Sequence, residues 1–347
     1  MKNTQFNERN ISMIMDMYEL TMSNGYFNND CKDTIVAFDV FYRKNPDKGG
    51  FAIFAGLEQV VEYIQNLHFS EEDVEYLRSK GLFTEEFLQY LLNFKFRGDV
   101  YAMPEGTIMY PNEPIITVVA PLIDAQLIET AILLEVNHQS LIATKTNRIV
   151  RAANGKPVSD FGARRAHNVD AAVYGARAAY IGGAVGTATV LAGKMFGIPI
   201  SGTMAHSWVM TYDSEYEAFK TYAESYPDST VLLVDTYDVL RSGVPNAIRV
   251  AKEVLEPMGK RLKGIRLDSG DLAYLSKEAY TLAITKNGIQ LEASDIEGIS
   301  HALTSLHQLI LTAIDCVKQA FCKVCSCAEE LHFLTYNHRR YATGNCI

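Results

Sequence analysis

The sequence predicts an α/β protein, with an N-terminal α/β (α+β) domain ahead of a region built as a parallel sheet or barrel. Two observations carry this prediction. Residues 99–121 hold strand-like pieces broken by Pro104, Pro111, Pro114 and Pro121, the mark of a small sheet. From about residue 122 a long helical stretch runs to about 153, and beyond it short apolar runs alternate with helical segments at the pitch of βα units.

In chain order, residues 11–27 (ISMIMDMYELTMSNGYF) have helical spacing, with Ile14, Met17, Tyr18 and Met22 on one face and Gly25 as an end. TIVAFDVFYR (34–43) and FAIFAG (51–56) read as strands around the turn NPDKGG, and the pair predicts a long-turned hairpin. LEQVVEYIQNL follows as a helix. Ser70 and Asp73 predict a capping box for the next helix, with Gly81 at its end, and Thr84 predicts the cap of EEFLQYLLNF. A long helix is expected over 122–153. Then come the alternating units, with polar clusters at Asp160–Arg165, Thr203–Ser207, Asp235–Asp238 and Arg266–Asp271, each just after an apolar run. Those are strand C-terminal ends, where parallel α/β folds build ligand sites.

Composition bounds the function. At about 150 residues per domain, 347 residues suggest two domains. Hydrophobic residues at 48% and charged residues at 21% exclude a disordered chain. Lys plus Arg number 32 against 41 Asp plus Glu, a net charge of -9, so a nucleic-acid partner is not expected. No run of 18 or more apolar residues predicts a membrane span, and the first residues lack the apolar core of a secretory signal. A cytoplasmic protein with reduced thiols is the expectation.

Four constellations bear on chemistry. Arg164 and Arg165 follow a strand and precede a helix; paired forks suit a carboxylate or phosphate, and cations at a helix N-terminus call for an anionic partner. The alternative is two solvated arginines. Gly186-Thr-Ala-Thr189, after Gly182 and Gly183, offers either backbone N–H groups for an anion or close helix packing. His206 sits beside Thr203 and Ser207, with the single Trp208 two residues on; it reads as a base or phosphoryl-accepting nucleophile, or as a satisfied polar residue. Asp235, Asp238, Asp268 and Asp271 read as holders of Mg2+ or of a diphosphate through Mg2+, as stabilisers of a developing cationic sugar, or as helix caps. Arg266 and Asp268, two apart, face the same side of a strand.

The order of MDMYELTMSNGY, DFGARRAH, GTATVLAGKMFGIPISGTMAHSW, VDTYD and GIRLDSGDL resembles the nicotinate phosphoribosyltransferase family from about residue 11 to 280. GTMAHSW and IRLDSGDL in order are the specific part. The resemblance implies a type II phosphoribosyltransferase fold, with an irregular, incomplete α/β barrel, and a homodimer with the site at the subunit interface. It implies the joining of nicotinate to 5-phosphoribosyl 1-diphosphate, giving nicotinate mononucleotide and diphosphate, coupled to ATP hydrolysis with Mg2+, in NAD salvage. His206 is then the residue that ATP phosphorylates, and Asp268, beside Arg266, is the second catalytic residue. Tyr18 stacks on nicotinate, Arg164 or Arg165 and Thr203 contact it, and Arg266 meets the sugar phosphate. The related nicotinamide enzyme has an acid where this chain has Ala188, which favours a carboxylate substrate. No protein metal site is implied. An inactive family remnant lacking the 5-phosphate segment is the alternative, and a relative acting on quinolinate or nicotinamide is a third reading.

The expected division is 1–121 for the N-terminal domain, 122–283 for the barrel-like catalytic domain, and 284–347 for a divergent Cys-rich tail. The family pattern fades after about 283. Cys322, Cys325 and Cys327 with His332 or His338 would give a non-standard Zn2+ set; a truncated or out-of-frame end is the favoured reading of the tail.

Overall fold

The computed structural model describes residues 10–270 and Leu272, together with the backbone of strands 280–285, 288–293 and 331–336. In chain order the elements up to residue 201 are helix α1 (Met17–Asn28), strand β1 (Ile35–Tyr42), β2 (Ala52–Ile53), α2 (Leu57–Asn66), α3 (Glu71–Arg78), α4 (Glu85–Leu92), β3 (Asp99–Ala102), β4 (Ile108–Met109), β5 (Pro114–Pro121), α5 (Leu122–Gln126), α6 (Glu129–Ala152), β6 (Ser159–Asp160), α7 (Val169–Ile181), β7 (Gly186–Thr187) and α8 (Val190–Phe196). Then follow α9 (His206–Thr211), α10 (Glu215–Ser225), β8 (Val231–Leu233), α11 (Val244–Val250), β9 (Gly264–Arg266), β10 (Tyr280–Thr285), β11 (Gly288–Ala293) and β12 (Leu331–Tyr336). Two compact units result: residues 1–201 with 327–347, and residues 202–326.

The first unit is built on an antiparallel sheet of order β12-β1-β5-β3. β1 alternates inward Val36, Phe38, Val40 and Tyr42, all buried. Phe38 lies opposite Val118 and Val40 opposite Ile116 of β5, so the β1–β5 pair presents one apolar, buried face. Phe54, Phe87, Leu88 and Leu91 close that core from α4 and the loop before α2. β12 runs antiparallel to β1 from Tyr42↔Leu331 to Ala37↔Tyr336, which makes β1 an interior strand.

The predicted hairpin does not form. β1 pairs with β5 and β12, whereas β2 pairs with β4. The reason lies in α6. The β2 amide of Ile53 donates to Thr144 Oγ1 at 2.8 Å, and that of Ala55 to Ser140 Oγ at 3.0 Å. The intervening turn is held by the same helix, since Arg148 donates to Asp47 Oδ2 and to the Pro46 carbonyl. Side chains of α6 thus satisfy backbone groups that a hairpin would have used.

Other boundaries shift for local reasons. α1 begins at Met17, with Asp16 as extended N-cap. The expected helix over 122–153 is two helices broken at Leu127–Ile128. Ser70 and Asp73 do form the capping box of α3. Thr84 takes the cap position of α4, but its hydroxyl donates to Asn24 Oδ1 on α1 instead of capping.

Parallel pairing among the described residues joins β6 to β7 and, in the second unit, β8 to β9. The expected strand before His206 is reduced to a single parallel bridge, Thr187↔Ile200. The second unit has its own core of Val209, Phe219, Leu232, Leu233, Val234, Val250 and Leu255. Asp271, Cys316, Cys322, Cys325, Cys327, His338 and Cys346 lie outside the described residues, as does the side chain of His332.

Candidate active site

In the second unit, the ends of β8 and β9 bring six polar residues, Thr203, His206, Asp235, Arg266, Asp268 and Ser269, into one network. His206 is the first residue of α9, and its Nε2 lies 3.2 Å from Asp235 Oδ1. Asp235 follows β8, its side chain only 2% exposed. Its other oxygen accepts the Asp268 N–H at 2.7 Å and the Ser269 hydroxyl at 2.8 Å. Burial acts to raise the Asp235 pKa, but the Ser269 hydroxyl, the N–H groups of Asp268 and Ser269, and His206 outweigh it and hold the carboxyl below its ordinary range. Asp235 therefore stays ionised and fixes the imidazole. Residue patterning placed Asp235 among the acidic clusters without this role; its position at the end of an apolar run was the available signal.

Arg266 ends β9. Its Nη1 donates to Thr203 Oγ1 at 3.0 Å and to the Met204 carbonyl at 3.3 Å, and its Nη2 to Asp268 Oδ1 at 2.6 Å. The two-residue spacing of Arg266 and Asp268 does place both on one side of the chain. Asp268 accepts from Arg266 through its side chain and donates to Asp235 through its backbone amide, while Asp235 also faces the His206 ring. Asp238 is a cap: its Oδ1 accepts from the amides of Leu240 and Arg241. Trp208 is structural, its indole N–H donating to the Ala218 carbonyl at 3.1 Å while its ring packs on Tyr212 and Tyr222.

In the first unit, Arg164 and Arg165 lie on a 3-10 turn (Ala163–Arg165) before α7. Both are exposed, and neither guanidinium is paired with a carboxylate among the described residues. Asp160 shapes their loop: Oδ1 accepts the Gly162 N–H and Oδ2 the Thr187 hydroxyl, each at 3.0 Å. The amides of Thr187, Ala188 and Thr189 are consumed by Pro199 O, Asp160 O and Thr187 Oγ1. That glycine-rich segment therefore does not offer them to an anion. Tyr18 lies on α1, 42% exposed, its hydroxyl donating to Glu129 Oε1 at 2.8 Å.

Mg2+ in phosphate chemistry takes one or two carboxylates plus substrate oxygens, not a full protein cage. Among the described residues no group of three or more His, Cys, Asp or Glu side chains could hold a metal ion. Asp268, 38% exposed at a strand end, fits the lone-ligand requirement. No described helix is long and apolar enough to cross a membrane.

Residues 13–137 match the model of the nicotinate phosphoribosyltransferase N-terminal domain, and residues 157–294 that of the nicotinate phosphoribosyltransferase family. A nicotinate phosphoribosyltransferase of Bacillus subtilis is 50% identical over 276 residues, covering 79% of this chain and 55% of the relative. The crystal structure of human nicotinic acid phosphoribosyltransferase superposes with a TM-score of 0.69 at 31% identity, over 74% of this chain and 61% of that one. A nicotinate-nucleotide pyrophosphorylase from Pyrococcus furiosus gives 0.60 at 28% identity, over 77% and 61%. The chain thus spans little more than half the length of the Bacillus relative. Its fold is that of the type II phosphoribosyltransferases, and with matched segments running through most of its length the chain belongs to the nicotinate phosphoribosyltransferase family.

Proposed function

We propose that this chain carries the nicotinate phosphoribosyltransferase reaction: nicotinate and 5-phosphoribosyl 1-diphosphate give nicotinate mononucleotide and diphosphate, coupled to ATP hydrolysis. The observation that carries the reading is the ionised, buried Asp235 against His206 Nε2. A carboxylate only accepts, so Nε2 bears the proton and Nδ1 keeps its lone pair. Nδ1 attacks the γ-phosphorus of ATP, the bond to the β-phosphate oxygen breaks, and ADP leaves. Asp235 balances the positive charge on the ring as the phosphoryl group arrives.

The remaining residues bind and orient. Thr203 and Asp268 clamp Arg266 from two sides, leaving a fixed cation for sugar-phosphate oxygens. Asp268 also offers negative charge toward the sugar C1 as the pyridine nitrogen attacks and diphosphate departs. Asp268 would be the protein carboxylate that holds Mg2+, which would supply positive charge to the departing diphosphate. Arg164 and Arg165, exposed and unpaired by carboxylates among the described residues, take the nicotinate carboxylate, and Tyr18 gives its ring a face. At 188 the small Ala leaves no charge to repel that carboxylate.

The exposed row Ile14, Met17, Tyr18 and Met22 supports association of two copies through α1. The exposed free thiol of Cys31 fits a reducing, cytoplasmic setting. The division at 121 and 283 is kept as part of this reading, supported by the change of texture from proline-broken strands to βα alternation.

The test is turnover by the purified chain with nicotinate, 5-phosphoribosyl 1-diphosphate, ATP and Mg2+, with nicotinate mononucleotide read by mass. Product is expected, together with a phosphorylated His206, and both are lost in His206→Asn. A label from ATP that persists in His206→Asn overturns the assignment of His206.

A further inference from the structure

Four hydrogen bonds tie the start of α1 to the first two residues of α6. The Tyr18 hydroxyl donates to Glu129 Oε1 at 2.8 Å, and Gln126 holds the other Glu129 oxygen at 2.7 Å. The Thr130 amide donates to Glu19 Oε1 at 3.1 Å, and the Thr130 hydroxyl also donates to Glu19 Oε1. The Asp16 amide donates to Thr130 Oγ1 at 3.3 Å. The arrangement answers a need of α6, whose N-cap residue is Ile128, with no side chain able to cap. Glu19, from another helix, supplies that cap and sets a carboxyl at the positive end of a 24-residue helix. It does so at a cost, because Glu19 is fully buried, and its Oε2 and the Ser23 hydroxyl one turn on have no hydrogen-bond partner among the described residues.

We propose that Glu19 and Glu129 are positioning residues for Tyr18, fixing its ring by locking the first turn of α1 to the first turn of α6. The proposal rests on the reading that Tyr18 meets nicotinate. A ring 42% exposed on a short helix sweeps many orientations unless its hydroxyl and backbone are both held. Glu129 holds the hydroxyl, and Thr130 holds the chain on either side of it, through Glu19 after it and the Asp16 amide before it. The groups that bear on the Glu19 charge are Glu129 on α6, Asp16 at the cap of its own helix, and the buried Tyr63 phenol on α2. Burial and the charge of Glu129 push its pKa up to about 7, against the opposing hydrogen bonds from Thr130. The lock therefore has a protonated and an ionised form near neutrality.

The experiment uses the full chain with 13C-labelled tyrosine, reading the Tyr18 ring resonance by NMR and the nicotinate dissociation constant by calorimetry. Glu19→Ala and Glu129→Ala are expected to shift the Tyr18 resonance and to weaken nicotinate about two- to tenfold, the loss also expected for Tyr18→Ala. Glu19→Gln keeps the acceptor and is expected to retain both wild-type values at pH 7, with a Tyr18 resonance that no longer titrates between pH 6 and 8. A Tyr18 resonance unmoved in Glu19→Ala and Glu129→Ala overturns the lock. A moved resonance with nicotinate binding weakened only in Tyr18→Ala overturns the positioning role. Nicotinate binding unchanged in Tyr18→Ala overturns instead the reading of Tyr18 on which the proposal stands. Glu129 is only partly buried, so Glu129→Ala keeps the test open where Glu19→Ala fails to fold.

Discussion

Replacing the Asp235 carboxylate by an amide changes which nitrogen of His206 carries a proton. The amide NH2 introduced by Asp235→Asn donates toward Nε2, the ring proton moves to Nδ1, and the nucleophilic lone pair is lost. This substitution is therefore expected to slow ATP-dependent phosphorylation of His206 by about 10²-fold or more, measured by rapid-quench mass spectrometry, with the fold unchanged by circular dichroism. Ala188→Asp puts a charge at an exposed position whose amide is bound to the Asp160 carbonyl. Nicotinate affinity is expected to fall more than nicotinamide affinity, as competition binding would show. Glu19 carries a stability prediction of definite sign. Its pKa is raised from an ordinary carboxylate value to about 7. Its contribution is thus fully present below the unfolded value near 4.5 and is lost as pH rises through 7. The melting temperature of the wild type should fall more steeply than that of Glu19→Gln between pH 5 and 8, and parallel curves would refute the assignment.

At the scale of elements, two features fix the first unit. Gly56 caps α2 with φ at +106°, and a Cβ there would stand 2.6 Å from the Glu135 carbonyl oxygen. Gly56→Ala should cost more than about 1 kcal/mol, read by denaturant melts. Arg177 on α7 is 10% exposed and joins Glu58, Glu105 and Gln139, while Glu105 caps α2 through the amides of Gly56 and Leu57. Removing the guanidinium in Arg177→Ala takes the cation from Glu105, itself mostly buried, an expected loss of about 3–5 kcal/mol. Legibility differed sharply between elements. The Ser70–Asp73 box is a contact within four residues, and its pattern suffices to predict it. The α1 periodicity correctly grouped Met17, Tyr18 and Met22, but the face they form is exposed, while Glu19 and Ser23 point inward. Spacing groups residues on a face; only the neighbours decide where that face looks.

Among the described residues each unit has its own main apolar core, one around Phe38, Phe54 and Phe87, the other around Phe219, Leu232 and Leu233. Phe38→Ala and Phe219→Ala should each cost about 3–5 kcal/mol. Hydrogen exchange should rise first in the unit that carries the substitution. Association through the apolar row of α1 predicts that Met22→Lys shifts the chain toward monomer in sedimentation equilibrium; an unchanged dimer would place the contact elsewhere.

By itself, the sequence determined the fold class, the βα alternation that follows the long helical stretch ending near residue 153, the family and the candidate residues His206, Arg266 and Asp268, because these rest on local spacing and contiguous motifs. The partners were decided by tertiary structure. Whether β2 meets β1 or the side chains of α6 depends on groups some 90 residues away, and no period in the chain encodes them. Likewise, Asp235 became the holder of His206, and Glu19 the cap of α6, only when folding removed each from water and left one acceptor facing one donor.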